Sequence, residues 1–385
     1  MEKNKYFIES SVLNFNKLVR ELFAQGEKIY SLGLGEPCFK TPESIVEATI
    51  KALQDGKTRY SDSKGILPLR EAISRKFYDD NRINASADRI FVTLGAKQAI
   101  VFALMAILEP FDEVINLCPC YVSYLPQISI AEPRAIVHNI DFDKVTHRID
   151  LKTLNKCFNE KTKALLINFP NNPLGTTLHQ SEADEIVRLV DSHPNCYVIS
   201  DEVYEYLNYS NEPVISVGSY DNIKDRVFTV NGLSKAFSMT GWRVGYMHVP
   251  STQTSALYRL CQHINTNVPT FIQYGAIEAI NTGKDHLKEY LCGLRQKSDF
   301  LSFAFSKYGN HIPSTSAGLF TFLDISRKGL SSDDFATTLL KEFRVAVNPG
   351  VSFGGNWDDH IRISLSGDQK DFEIGVSRMA KFIFG

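Results

Sequence analysis

The chain has 385 residues, 43% of them hydrophobic and 22% charged, with a formal net charge of −2. That make-up suits a globular enzyme with a large core, and the length suggests two or three domains. The near-balanced charge gives no field for nucleic acid or anionic lipid, and no apolar run approaches the roughly 18 residues that span a bilayer.

The opening residues, Met1 to Tyr6, lead into a mixed polar segment, so no signal peptide is expected. The seven cysteines are scattered and read as reduced, buried thiols of a cytoplasmic protein. Cys118 and Cys120 bracket one proline, which is not the CxxC spacing of a redox or zinc site. The nine histidines form no HExxH or His-x-His pattern, and no metal site is expected.

Strand-like apolar runs alternate with helical patterns along the chain, which predicts an α/β architecture with mostly parallel strands. Leu69 to Tyr78 reads as an amphipathic helix. A strand ending near Val92 opens into a helix from Ala96 to Leu108, apolar nearly all round. Short strands are predicted over Glu113 to Leu117, Ala164 to Asn168, Tyr197 to Asp201, Val227 to Val230 and Val244 to Val249. The 170–175 run, Pro-Asn-Asn-Pro-Leu-Gly, is a loop between strands. Beyond about Lys284 a helical pattern (His286 to Tyr308) precedes hairpin-like runs at Gly318 to Asp324 and His360 to Ser364, which predicts a smaller α+β domain.

Several strands end at a polar residue, and open α/β sheets bind ligands at the carboxyl ends of their strands. Gly95 and Ala96 sit where a strand turns into a helix, and the first amides of a helix form either a plain cap or an anion site. Asp201 closes a buried strand, as a helix N-cap or as a functional carboxylate, and Tyr204 follows three residues on. Arg362 lies on a strand of alternating polarity, paired with Asp358 or Asp359 or free to hold a carboxylate bidentately.

The most telling segment is Ser234-Lys235-Ala-Phe-Ser-Met-Thr-Gly-Trp-Arg243. It follows a β-forming run, so it presents a lysine amine at a strand end. A neutral lysine amine forms a Schiff base with an aldehyde, and an arginine eight positions on can hold a phosphate. Pyridoxal 5'-phosphate (PLP) carries both groups. The segment closely resembles the PLP-lysine signature of class I/II aminotransferases, which have PLP fold type I.

The resemblance covers essentially the whole chain, from Gly35-Glu-Pro-x-Phe-x-Thr-Pro42 to Arg362. It implies a large domain with a mostly parallel seven-stranded sheet over residues 41–284. A small domain at 285–385 would be joined by an N-terminal segment at 1–40. Lys235 would carry the cofactor. Gly95 and Ala96, through backbone amides, and Arg243 would hold its phosphate, with Lys97 beside them. Asp201 would face the ring nitrogen. Tyr204 and Asn172 would face the phenolic oxygen, and Tyr121 would stack on the ring. Arg362, Gly35 and Asn172 would hold the substrate α-carboxylate. Tyr60 would reach the phosphate of a neighbouring subunit, which implies a homodimer. Cys38 and Leu174 depart from the residues many members carry there, without removing a chemical group.

The expected activity is ping-pong transfer of an amino group between an L-amino acid and a 2-oxo acid, with Lys235 as base and then acid. A β-eliminating C–S lyase of the same fold is the alternative. A non-catalytic ligand-binding relative fused to a DNA-binding domain is remote, because too few residues precede Gly35 to form one. Lys97 would either favour an acidic substrate or pair locally.

Overall fold

The computed structural model describes residues 17, 19, 21–210, 212–309, 312 and 315–385, so the first sixteen residues of the expected N-terminal segment lie outside the described residues. After β1 (Tyr30–Ser31) come helices α1 (Glu43–Gln54) and α2 (Leu67–Asn81). Strand and helix then alternate: β2 (Ile90–Thr93), α3 (Ala96–Ile107), β3 (Glu113–Cys118), α4 (Tyr124–Ala131), β4 (Ile136–Asp141), α5 (Leu151–Cys157), β5 (Thr162–Asn168), α6 (Gln180–Ser192) and β6 (Tyr197–Asp201). Next follow β7 (Val227–Gly232), β8 (Gly245–His248) and three helices, α7 (Thr254–Ile264), α8 (Thr270–Thr282) and α9 (Leu287–Ser306). The chain closes with β9 (Phe320–Asp324), α10 (Ser332–Phe343), β10 (Val345–Ala346), β11 (Asn348–Pro349), β12 (His360–Ser364) and α11 (Gln369–Phe384).

Seven strands form the central sheet in the order β2-β8-β7-β6-β5-β3-β4. The pairs β3–β4, β3–β5, β5–β6 and β6–β7 are parallel, and β8 runs antiparallel to both β7 and β2. This is the mostly parallel seven-stranded α/β fold that the sequence predicts, with β8 as the exception. The reason for the buried strands is plain in β5 and β6. Leu165, Leu166, Val198 and Ile199 are all at most 1% exposed, so both faces of these strands are covered. Helix α3 has no polar stripe of useful width, and Ala99, Ile100, Phe102, Ala103 and Leu104 all pack inside.

The two runs expected as hairpins pair with each other instead. Strand β12 lies antiparallel between β9 and β11, in register Arg362↔Phe322, although a helix and two short strands intervene in sequence. Turn residues at each run suggested local pairing, but the partner is supplied from a distance. Strand β1 pairs in parallel with β10, and Tyr30 and Leu32 belong to the same apolar cluster as Leu294, Leu339 and Ile361. Parallel pairing requires a long crossover, so local sequence carries no sign of it.

The topology leaves β2, β5, β6 and β7 with their carboxyl ends on one edge of the sheet. Thr93, Asn168, Asp201 and Gly232 stand there side by side, at the position where open α/β sheets bind ligands.

Candidate active site

Two adjoining cavities open at that edge, of about 340 and 270 Å³. Lys97, Tyr121, Asn172, Tyr204 and Lys235 line both. Asp201, Ala96 and Arg243 border the first, whereas Gly35 and Arg362 border the second. Eleven of the twelve residues expected at the site therefore meet at or beside one place, Gly95 by its contact with Arg243. The exception is Tyr60, which is 88% exposed and lines a separate cleft with Arg59 and the 265–271 stretch.

Lys235 follows β7 by three residues, so its amine stands just beyond the strand end. Its Nζ donates to the carbonyl of Gly35 at 2.9 Å. Burial pushes the amine down to about 8; the charges of Arg362, Arg243 and Lys97 act the same way, against Glu36. A substantial fraction is then neutral, and hence nucleophilic, at mildly alkaline pH.

Asp201 ends β6 and does not cap a helix. Its Oδ2 accepts from the Tyr124 hydroxyl at 2.7 Å and its Oδ1 from the Val203 amide at 3.2 Å. Burial pushes the carboxyl up to about 6, opposed by the bond from Tyr124. It is therefore mostly charged at neutral pH and suited to hold a cationic partner. Tyr204, on the turn after β6, is also buried, which raises its phenol.

Asn172 sits in the loop after β5. Its amide nitrogen donates to Asn168 Oδ1 at 2.8 Å, while its own Oδ1 accepts from Arg362 Nη1 at 3.1 Å. Arg362 Nη2 donates to the Gly33 carbonyl at 3.1 Å. The guanidinium centre lies 4.0 Å from the Phe320 ring and 4.8 Å from that of Phe353. Burial pulls it down to about 10, still charged at neutral pH. Its Nε is buried without a hydrogen-bond partner among the described residues. Neither aspartate considered for it from sequence is its partner, since Asp358 accepts from Ser332 and Asp359 pairs with Lys144 and His360. Among the described residues this buried guanidinium has no carboxylate partner, which leaves it able to take an anion from outside.

The helix end offers a second anion position. Gly95 is the N-cap of α3, at φ 81, and no side chain caps the helix. A Cβ at Gly95 would fall 2.6 Å from Arg243 Nη2, so only glycine leaves room between arginine and amides. Arg243 donates to the carbonyls of Thr240 and Leu94, and it pairs with no carboxylate among the described residues. Lys97 likewise makes no ion pair among the described residues, and its Nζ lies 5.6 Å from the Tyr121 ring centre.

Tyr124, Asn168 and Glu36 also border the first cavity, and sequence reasoning did not single them out. Tyr124 offered one signal. It lies three residues after Tyr121, at the spacing that keeps two side chains on one side of a helix start.

The donor set fits PLP. The Gly95 cradle and Arg243 suit a phosphate, Lys235 an aldehyde, Asp201 a pyridinium, and the unmet Arg362 Nε a substrate carboxylate.

The family model "Aminotransferase class I and II" matches residues 27–379. An aspartate aminotransferase of Musicola paradisiaca is 33% identical over 370 residues, covering 95% of this chain and 92% of that one. An aromatic-amino-acid aminotransferase of Thermococcus litoralis is 35% identical over 371 residues, covering 95% of each. The crystal structure of an aspartate aminotransferase from Thermotoga maritima superposes with a TM-score of 0.92 at 31% identity, covering 99% of both chains. The chain belongs to the class I and II aminotransferases, and it is an amino-group-transferring enzyme of PLP fold type I. The family is PLP-dependent.

Proposed function

We propose that the chain binds PLP in the first cavity and an amino acid in the second, and moves the amino group to a 2-oxo acid in two half-reactions. When bound, the cofactor supplies a carbonyl for the amino group and an electron sink for the substrate carbanion. The protein's residues do the rest. Gly95, Ala96 and Arg243 receive the phosphate, with Lys97 at the rim. Asp201 keeps the ring nitrogen cationic, Tyr204 and Asn172 face the ring's phenolic oxygen, and Tyr121 covers the ring. Arg362 and Asn172, beside Gly35, orient the substrate α-carboxylate. That aims the Cα hydrogen at Lys235, whose amine takes the proton and later returns it.

The observation that carries this reading is the Lys235 amine bordering both cavities, with buried Asp201 lining the first and buried Arg362 the second. Lys235→Ala tests it. The variant is expected to acquire no visible absorbance on incubation with PLP and to lose amino transfer by about 10⁴-fold or more. Retained turnover would remove Lys235 from the reaction.

Lys97, a cation at the cavity wall with no ion partner among the described residues, favours a substrate with a side-chain carboxylate. The relatives include both aspartate and aromatic-amino-acid aminotransferases, so this preference rests on Lys97. The exposure of Tyr60 supports a homodimer in which it approaches the site of the other copy. The β1–β10 pairing supports a division near residues 40 and 284, with the N-terminal segment on the small domain. No described helix is long and apolar enough to cross a membrane. The scattered unpaired cysteines support a reducing, cytoplasmic location.

A further inference from the structure

Asp201 has one side-chain hydrogen-bond donor among the described residues, the hydroxyl of Tyr124. Tyr124 is 2% exposed and packs among Ile100, Ile128 and Ile199. Its ring meets that of Tyr121 edge-on, with centroids 5.5 Å apart and planes at 81°. Helix α4 begins at Tyr124, so the side chain is anchored by packing and by the helix start, not by solvent.

A phenol in this setting is a one-way donor. Burial and the Asp201 charge hold its proton on, well above the ordinary range. It therefore donates a hydrogen bond to Oδ2 and keeps its own proton. That bond favours the ionised carboxylate, whereas burial alone drives the group toward neutrality. It also fixes the carboxylate's rotation, because Oδ1 is held by the Val203 amide.

We propose that Tyr124 is a positioning residue that acts through Asp201, keeping its carboxylate ionised and aimed so that the cofactor's ring nitrogen is bound in its protonated form. The inference rests on the cofactor reading above and adds to it a residue that touches neither substrate nor the transferred group.

The test compares two ligands on the full-length protein freed of cofactor. One is PLP. The other is the analogue with carbon and hydrogen in place of the ring nitrogen. Tyr124→Phe removes one oxygen atom and leaves the ring in its apolar cluster. The thermal midpoint of the cofactor-free variant checks that it folds. The expected result is PLP affinity weakened by roughly 10-fold or more, with the analogue's affinity unchanged. A merely structural role would weaken both ligands alike, and that outcome, or no loss for either, overturns the proposal. Fluorination of the Tyr124 ring beside its hydroxyl makes a stronger donor and is expected to raise the PLP-to-analogue affinity ratio; an unmoved ratio counts against the proposal. Wild-type protein that binds no PLP would sink the cofactor reading itself, and this inference with it.

Discussion

The segment that leaves β6 has two faces, and they treat charge in opposite ways. Asp201 and Tyr204 look into the cavity, while Glu202 and Glu205 turn to the other side of the sheet. On that far side the groups satisfy one another. Glu202 Oε1 accepts from Ser200 and Ser216 at 2.8 and 2.7 Å, and Oε2 from Asn81 at 3.1 Å. Asn81 also donates to Glu205 at 2.7 Å and accepts from Lys76 at 2.6 Å, and Lys76 pairs with Glu205. On the cavity side, among the described residues the Nε of buried Arg362 has no hydrogen-bond partner, and the exposed Lys97 and Arg243 have no counter-charge. Buried charges matched from within hold a fold together, whereas charges left unmatched around a cavity mark where a ligand can complete the set.

Four changes probe this contrast. The largest expected effect is on the matched face. Lys76→Met strands the buried carboxylate of Glu205 and should lower unfolding free energy by about 3–5 kcal/mol, measured by denaturant melting. Cofactor affinity of the folded fraction should barely move. On the unmatched face, Arg362→Leu should do the reverse. It is expected to lower kcat/KM roughly 100-fold or more, since charge-assisted bonds to the substrate carboxylate vanish. Its melting point should change little, because loss of the bonds to Asn172 and Gly33 offsets relief from a buried charge that has no carboxylate partner among the described residues. Lys97→Gln should lower kcat/KM roughly 10- to 100-fold more for an acidic donor than for an apolar one, as a panel of amino donors would reveal. Equal losses for both donors would place Lys97 with the cofactor alone.

The smallest effect concerns pH. Burial, helped by the Glu205 charge, pushes the Glu202 carboxyl up to about 8. The folded state thus keeps a proton that the unfolded chain sheds near pH 4.5. Glu202 therefore contributes most below pH 4.5, and stability drains away as pH rises toward about 8. Glu202→Gln should flatten that part of the melting-temperature profile of the cofactor-free protein.

The cavity face was legible in the sequence because its groups occur as short motifs at strand ends. Ser234-Lys235, Asp201 with Tyr204, and the loop around Asn172 each pair a strand terminus with a reactive group, so chain order alone carries the pattern. The matched face was not, although Glu202 and Glu205 belong to the same few residues. Their partners Lys76 and Asn81 come from α2, far back in the chain, and nothing local announces the contact. Tyr124 stayed hidden for a related reason, because a tyrosine at a helix start reads as core until the carboxylate it meets is placed. Strand β4 was missed on other grounds. It is an edge strand whose His138 and Asn139 break the apolar run, and its pairing to β3 supplies what its composition does not.

The bond from Arg362 to the carbonyl of Gly33 ties together two residues near opposite ends of the chain. Its consequence falls during synthesis. A ribosome has made every residue lining the first cavity once Arg243 is added. The arginine of the second cavity follows only after much of the small domain has been translated, several seconds later at roughly 5–20 residues per second. The lining of the first cavity is thus translated well before the arginine that completes the second, and the two cavities become whole in that order.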